Sequence, residues 1–155
     1  MDGAERQPIP VVRTEFEDRD AQFSPDGRWV VYASNQSGRF EIYAQRFPES
    51  TGTRQLSTEG GVQPRWRRDG KELFYISLNG QLVAVPINTA PGGQTLTSGA
   101  AVTLFDSQIA GGISPAGHKH QYAVAADGQR FLIAQTTDNG AGAPITVAVK
   151  WAKGR

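Results

Sequence analysis

Two histidines one residue apart, His118-Lys119-His120, are the most chemically suggestive pair in the chain. Imidazoles at that spacing lie on one side of an extended segment, where they could hold a metal or pass a proton. No cysteine occurs, and no acidic ligand set stands at a matching spacing, so the pair reads first as part of a solvated loop. Arg65, Arg67 and Arg68 bracket Trp66, a pattern able to grip a phosphate or carboxylate. A buried Trp66 with hydrated arginines on either side is the plainer account of the same residues. Ser114 with His118 lacks the sequence context of a hydrolase nucleophile, and Asn35-Gln36-Ser37 is a glycosylation sequon by pattern alone. Asp26, Asp69 and Asp127 each precede a glycine, which makes them turn residues and not catalytic carboxylates.

The elements that would position these groups are set by a repeat. Phe23-Ser24-Pro25-Asp26-Gly27-Arg28-Trp29-Val30-Val31-Tyr32 returns as Trp66-Arg67-Arg68-Asp69-Gly70-Lys71-Glu72-Leu73-Phe74-Tyr75 and as Val124-Ala125-Ala126-Asp127-Gly128-Gln129-Arg130-Phe131-Leu132-Ile133. Each copy is strand, turn, strand: Gly27, Gly70 and Gly128 supply positive φ, and the preceding Asp can bond the local backbone. Between and after the copies run further short apolar segments, including a hairpin at Asn79-Gly80, and residues 15–20 are expected to turn back. Residues 88–100 and 106–119 read as long loops. The lead Ile9-Pro10-Val11-Val12-Arg13-Thr14 reads as a lone edge strand. One strand (9–14), four (21–58), four (62–106) and three (120–151) make three four-stranded antiparallel sheets with the break inside a sheet. That is the signature of radially arranged blades.

Composition agrees and narrows the classes. A chain of 155 residues with 38% hydrophobic content can bury a core, and 18 Gly with 9 Pro favour many short strands over helices. A net charge of +1 argues against a general nucleic-acid binder. Absence of cysteine excludes disulfides, thiol nucleophiles and thiolate metal sites. The N-terminus is polar and acidic, unlike a signal peptide, and no run of about 18 apolar residues exists to span a membrane. The expectation is a soluble chain without membrane contact of its own, and its compartment stays open.

The phrases Ser24-Pro25-Asp26-Gly27-Arg28-Trp29, Ser37-Gly38-Arg39-Phe40-Glu41-Ile42-Tyr43, Gly60-Gly61-Val62-Gln63-Pro64-Arg65-Trp66 and Pro144-Ile145-Thr146-Val147 resemble, as a set, the WD40-like propeller repeat (PD40, TolB-like). This is the form found at the C-terminus of bacterial receptor-like serine/threonine kinases. The resemblance implies an all-β fold, about half of a six-bladed propeller, in a parent that can place it outside the cytoplasmic membrane. The kinase itself is not in the sequence: there is no Gly-rich phosphate loop followed by a strand lysine, no His-Arg-Asp and no Asp-Phe-Gly.

In such a fold the connections entering the innermost strands form one face. Asp20 and Gln22, Gln63 and Arg65, and His118, His120 and Gln121 hold corresponding places there and form the candidate ligand-binding rim. Trp29, Tyr32, Tyr43, Trp66, Phe74 and Tyr75 are assigned to packing. The function expected is a non-catalytic binding or sensing module for a protein, peptide or small ligand, with no cofactor or metal. The alternative is an accessory propeller gating a prolyl-oligopeptidase-like hydrolase, or a propeller lyase. Three blades alone leave end faces open, so a homodimer that swaps residues 9–14 and completes a six-bladed ring is a further expectation.

Overall fold

The computed structural model describes residues 8–49, 52–109, 120–135 and 145–149. The first sheet is β1 (Asp18–Phe23), β2 (Trp29–Ser34), β3 (Glu41–Arg46) and β4 (Arg54–Gln55), in that order. The second is β5 (Val62–Trp66), β6 (Glu72–Ile76) and β7 (Gln81–Thr89), with β8 (Leu96–Ser98) and β9 (Val102–Asp106) both pairing with β7. The third is β10 (Tyr122–Val124), β11 (Arg130–Ala134) and β12 (Ile145–Val149). Every pairing is antiparallel, and all but that of β7 with β9 join neighbours in sequence, as in blades of a propeller.

The repeat turns are built alike. Gly27, Gly70 and Gly128 sit at φ 70, 72 and 68, and each donates its N–H to the carbonyl three residues back. Asp26, Asp69 and Asp127 each accept from the backbone N–H two residues on, at 3.1, 3.0 and 2.9 Å. The carboxylates are thereby committed to the turns, as their place before glycine implies.

Two apolar layers hold the blades together. Trp29, Val31, Ala33, Ile42 and Ala44 of the first blade pack against Trp66, Leu73, Tyr75, Val83 and Val85 of the second. Phe74, Ile76, Leu82 and Ala84, from the other side of the second blade, pack against Tyr122, Phe131 and Ile133 of the third. Phe74 and Phe131 meet edge to face at 5.0 Å. Both layers follow from strand alternation, which sends successive side chains to opposite faces. The six aromatics assigned to packing are all buried.

Four expectations are corrected. Residues 9–14 form no strand; this lead lies against the first blade, where Gln45 Nε2 donates to the Val11 carbonyl at 2.7 Å. Prolines 8 and 10 deprive the segment of donors a ladder would use. The acidic stretch 15–20 does not simply turn back, because β1 already begins at Asp18. The Asn79-Gly80 turn has positive φ only at Gly80 (86°), with Gly80 N–H on Ser77 O, so it is a wider loop than the two-residue hairpin that needs both residues left-handed. Residues 88–100 are not an irregular loop: β7 runs on to Thr89, a 3-10 turn spans Pro91–Gly93, and β8 returns along β7. Leu96 from this hairpin is fully buried in the first layer, and the Trp29 indole donates to the Gly93 carbonyl at 3.1 Å.

Candidate functional site

The first strands of the first two blades carry the same irregularity. Between Arg19 and Gln22 in β1, and between Val62 and Arg65 in β5, the pairing register shifts, and Asp20 and Gln63 take left-handed φ of 57 and 54. Non-glycine residues seldom adopt that conformation, and a bulge is the usual way to re-aim a side chain near a site. Counted back from the Asp-Gly turns, Asp20, Gln63 and Gln121 occupy one repeat position.

That position links each blade to the next. Asp20 Oδ2 accepts from the Gln63 backbone N–H at 3.2 Å, and Gln63 Oε1 accepts from the Gln121 backbone N–H at 2.9 Å. Gln63 Nε2 also donates to Gln121 Oε1 at 2.8 Å, and the Tyr122 hydroxyl donates to the Gln63 carbonyl at 2.8 Å. Gln22 Oε1 spans the same gap one step further in, accepting from the Trp66 backbone N–H at 3.1 Å. The structure thus brings Asp20, Gln22, Gln63 and Gln121 together, but as a polar seam between blades. Burial drives the Tyr122 phenol far above its ordinary range, so it acts as a fixed neutral donor.

Arg65 and His120 complete the cluster. They line a groove of about 550 Å³ between the second and third blades, together with Gln22, Trp66, Gln121 and Tyr122. Arg65 is half-buried and has no ion pair among the described residues; His120 is exposed. Partial desolvation at the groove wall lowers the His120 pKa from its ordinary 6.5, the nearby Arg65 guanidinium lowers it further, and Asp20 opposes them. At neutral pH the groove therefore presents the Arg65 guanidinium beside an uncharged imidazole and side-chain amides, with the Asp20 carboxylate close by. His118 and Lys119 of the His118-Lys119-His120 pair lie outside the described residues. Among the described residues no group of three His, Asp or Glu side chains converges as a metal site would require.

The other arginines around Trp66 do not join the groove. Arg67 turns to its own blade, bonding Asp69 through Nε and Nη2 at 2.7 Å each and Glu72 at 3.1 Å. The hydrogen bond from Arg67 holds the Asp69 carboxyl down at about 2. Trp66 itself is buried in the first layer, with its indole nitrogen unpartnered among the described residues.

Glu41 was not anticipated as a positioning residue. Its carboxylate is 1% exposed and accepts from Arg39 Nε at 2.8 Å, from Gly60 N–H at 3.0 Å and from the Ser57 hydroxyl. It fixes the connection that delivers β5 to the seam. An acidic residue at the start of an apolar strand was the sequence signal for it.

No protein-family profile matches the sequence, and comparison with curated proteins finds no match. Solved structures do match. TolB from Acinetobacter baumannii aligns at 17% identity and TM-score 0.62 over 84% of this chain and 29% of its own. An oligogalacturonate lyase in complex with manganese aligns at 15% and 0.63 over 98% and 40%, and the oligogalacturonate lyase of Vibrio parahaemolyticus at 14% and 0.54 over 79% and 31%. At these identities the likeness shows the fold alone: antiparallel blades of a β-propeller. The chain spans between 29% and 40% of the length of these structures.

Proposed function

We propose that the chain is a non-catalytic binding module whose ligand seat is the groove between the second and third blades, taking an anionic group of a protein or peptide partner. The observation that carries this reading is the convergence of Arg65 and His120 on one groove of about 550 Å³ whose walls are pinned by the Gln63–Gln121 and Gln22–Trp66 bonds. A guanidinium presents a planar fork of donors suited to a carboxylate, and walls already bonded to each other lose little freedom when a ligand arrives. Ala123, Val124 and Leu132, which line the groove and are not fully buried, supply apolar contact for the rest of the ligand. Within this reading the module is the sensing part of a longer bacterial receptor-like protein, in keeping with the kinase-associated resemblance of its repeats.

The test is an amide-shift titration with a short acidic peptide, comparing parent, Arg65→Ala and Trp66→Ala. Shifts should cluster at residues 22, 65, 120 and 121 and vanish in Arg65→Ala without loss of thermal stability. Trp66→Ala removes a core side chain and should cost about 3 to 5 kcal/mol of stability. Shifts that are absent from the groove, or that survive Arg65→Ala unchanged, remove the proposal.

A further inference from the structure

A second cavity, of about 420 Å³, lies apart from the Arg65 groove, between the outer parts of the first two blades. Because β4 is only two residues long, the first blade meets the second here through the connection 56–60 and not through a strand. The lining is buried at Leu56, Tyr75 and Val83, half-buried at Gln81, and exposed at Glu59, Asn79 and Thr103. Two features set it apart from an incidental gap. Tyr75 is only 4% exposed, yet its hydroxyl has no hydrogen-bond partner among the described residues, although a buried phenol usually finds one. Burial, with the Glu41 and Glu59 carboxylates adding to it, pushes the Tyr75 pKa up to about 12, so the group stays a neutral hydroxyl. The walls, secondly, are fixed from behind. The buried Glu41 carboxylate accepts from the Ser57 hydroxyl and, at 3.0 Å, from the Gly60 N–H, which holds one wall. Across from it the Ser77 hydroxyl donates to Asn79 Oδ1, which leaves the Asn79 amide nitrogen uncommitted, and the Ser107 hydroxyl donates to the Gly80 carbonyl.

The geometry points to a small uncharged polyhydroxy compound, of monosaccharide size, as the ligand of this cavity. Among the described residues no Lys, Arg or His lines it, and Glu59 contributes a carboxylate, so an anion would meet like charge with no cation to receive it. An ammonium ion would satisfy Glu59, but it can only donate, and it would leave the Asn79 nitrogen facing another donor. A hydroxyl does both: it donates to the Glu59 carboxylate and accepts from Asn79, Gln81 or Tyr75. Several hydroxyls on one small ring can engage these groups together, which a single alcohol cannot. Walls already held by their own hydrogen bonds lose little freedom when such a ligand enters. A few neutral hydrogen bonds in a polar, open site place the affinity in the millimolar range.

The test is an amide-shift titration of the full chain with D-glucose, D-galactose, D-mannose, D-ribose and myo-inositol, each to about 50 mM so as to span millimolar binding. Ethylammonium chloride and sodium acetate serve as the cation and anion comparisons. At least one polyol should shift the Asn79 and Gln81 side-chain amides and the backbone amides of residues 59 and 103 saturably, and neither ion should do so there. Tyr75→Phe keeps the buried ring and removes only the hydroxyl, and should weaken that polyol at least about threefold. Glu59→Ala, at an exposed position, should weaken it about tenfold or more. Both variants should keep the circular dichroism spectrum of the parent, so that lost binding is not lost folding. Failure of all five polyols to shift these residues overturns the inference. Saturable shifts there with ethylammonium or acetate alone overturn the ligand class, and polyol binding indifferent to both substitutions overturns the site.

Discussion

Gln63 and Gln121 hold each other from both ends: the Gln63 amide nitrogen donates to Gln121 Oε1 at 2.8 Å while the Gln121 backbone N–H donates to Gln63 Oε1 at 2.9 Å. One blade earlier, Asp20 performs half of this exchange for the Gln63 N–H. A repeat position that bonds to its own equivalent in the next blade joins blades whose sheets share no ladder. Gln63→Ala strips the partner from the Gln121 N–H in a part-buried place and should cost about 1 to 3 kcal/mol. Amide exchange should quicken selectively at residues 121 to 124, since the third blade is held to the second there. Unchanged exchange in the third blade would mean that the apolar layer alone fixes it.

Substitution at the three turn glycines should rank by surroundings. Valine at Gly27, Gly70 or Gly128 is forced toward left-handed φ, at about 1 to 2 kcal/mol each. Around Gly27 there is open space, but a Cβ on Gly128 would stand 2.5 Å from Arg67 Cδ and 3.3 Å from Phe74 Cζ, inside the contact between blades. Gly128→Val should therefore lower the denaturant midpoint distinctly more than Gly27→Val. Equal midpoints for the two would contradict the tight seating of the third turn.

Loss of the buried Glu41 carboxylate should be costly for a different reason. Glu41→Ala leaves the Gly60 N–H and the Ser57 hydroxyl without their acceptor and releases the connection ahead of β5. A cost of about 3 kcal/mol is expected, read from chemical denaturation. A loss within error of zero would place the connection under other control.

What could be read from the sequence and what could not divides along local and non-local physics. The Asp-Gly turns, the antiparallel strands that flank them and the packing role of the aromatics depend on residues close in sequence and appear as expected, whereas the strand at 9–14 does not form. The rim residues Asp20, Gln22, Gln63 and Gln121 were legible as a set, because the repeat aligns them. Their bonding to the next blade was not, since no single strand reveals which way a polar side chain turns at a bulge. The hairpin within residues 88–100 was hidden by its Thr, Gly and Pro content, which signals a loop; one buried leucine, Leu96, is its apolar anchor.

That hairpin offers its own prediction. Leu96 fills the layer between the first two blades although it belongs to the outermost pairing of the second, and Gly93 beyond it receives the Trp29 indole. Leu96→Ala should cost about 2 to 5 kcal/mol, as for a leucine in any packed core. The change should also alter the fluorescence of Trp29 in the first blade. A near-silent Leu96→Ala would return the segment to the status of a surface loop.

The groove can be tested through His120 without knowing its ligand. Partial desolvation lowers its folded pKa, Arg65 adds to the lowering, and Asp20 works against it. Its folded value thus lies below the ordinary 6.5, so as pH falls through that value the unfolded chain takes up the proton first. Stability is lost on acidification until the folded imidazole is protonated too. Arg65→Ala should raise the His120 pKa toward 6.5, and Asp20→Asn should lower it further. The imidazole Cε1–H resonance reports both, with His118→Gln removing the other histidine from the spectrum. An anion seated beside Arg65 should reverse the sign, raising the His120 pKa and taking up protons as it binds. A His120 that titrates identically in parent, Arg65→Ala and Asp20→Asn chains would show that the three do not share one electrostatic site, and the binding groove would lose its charge.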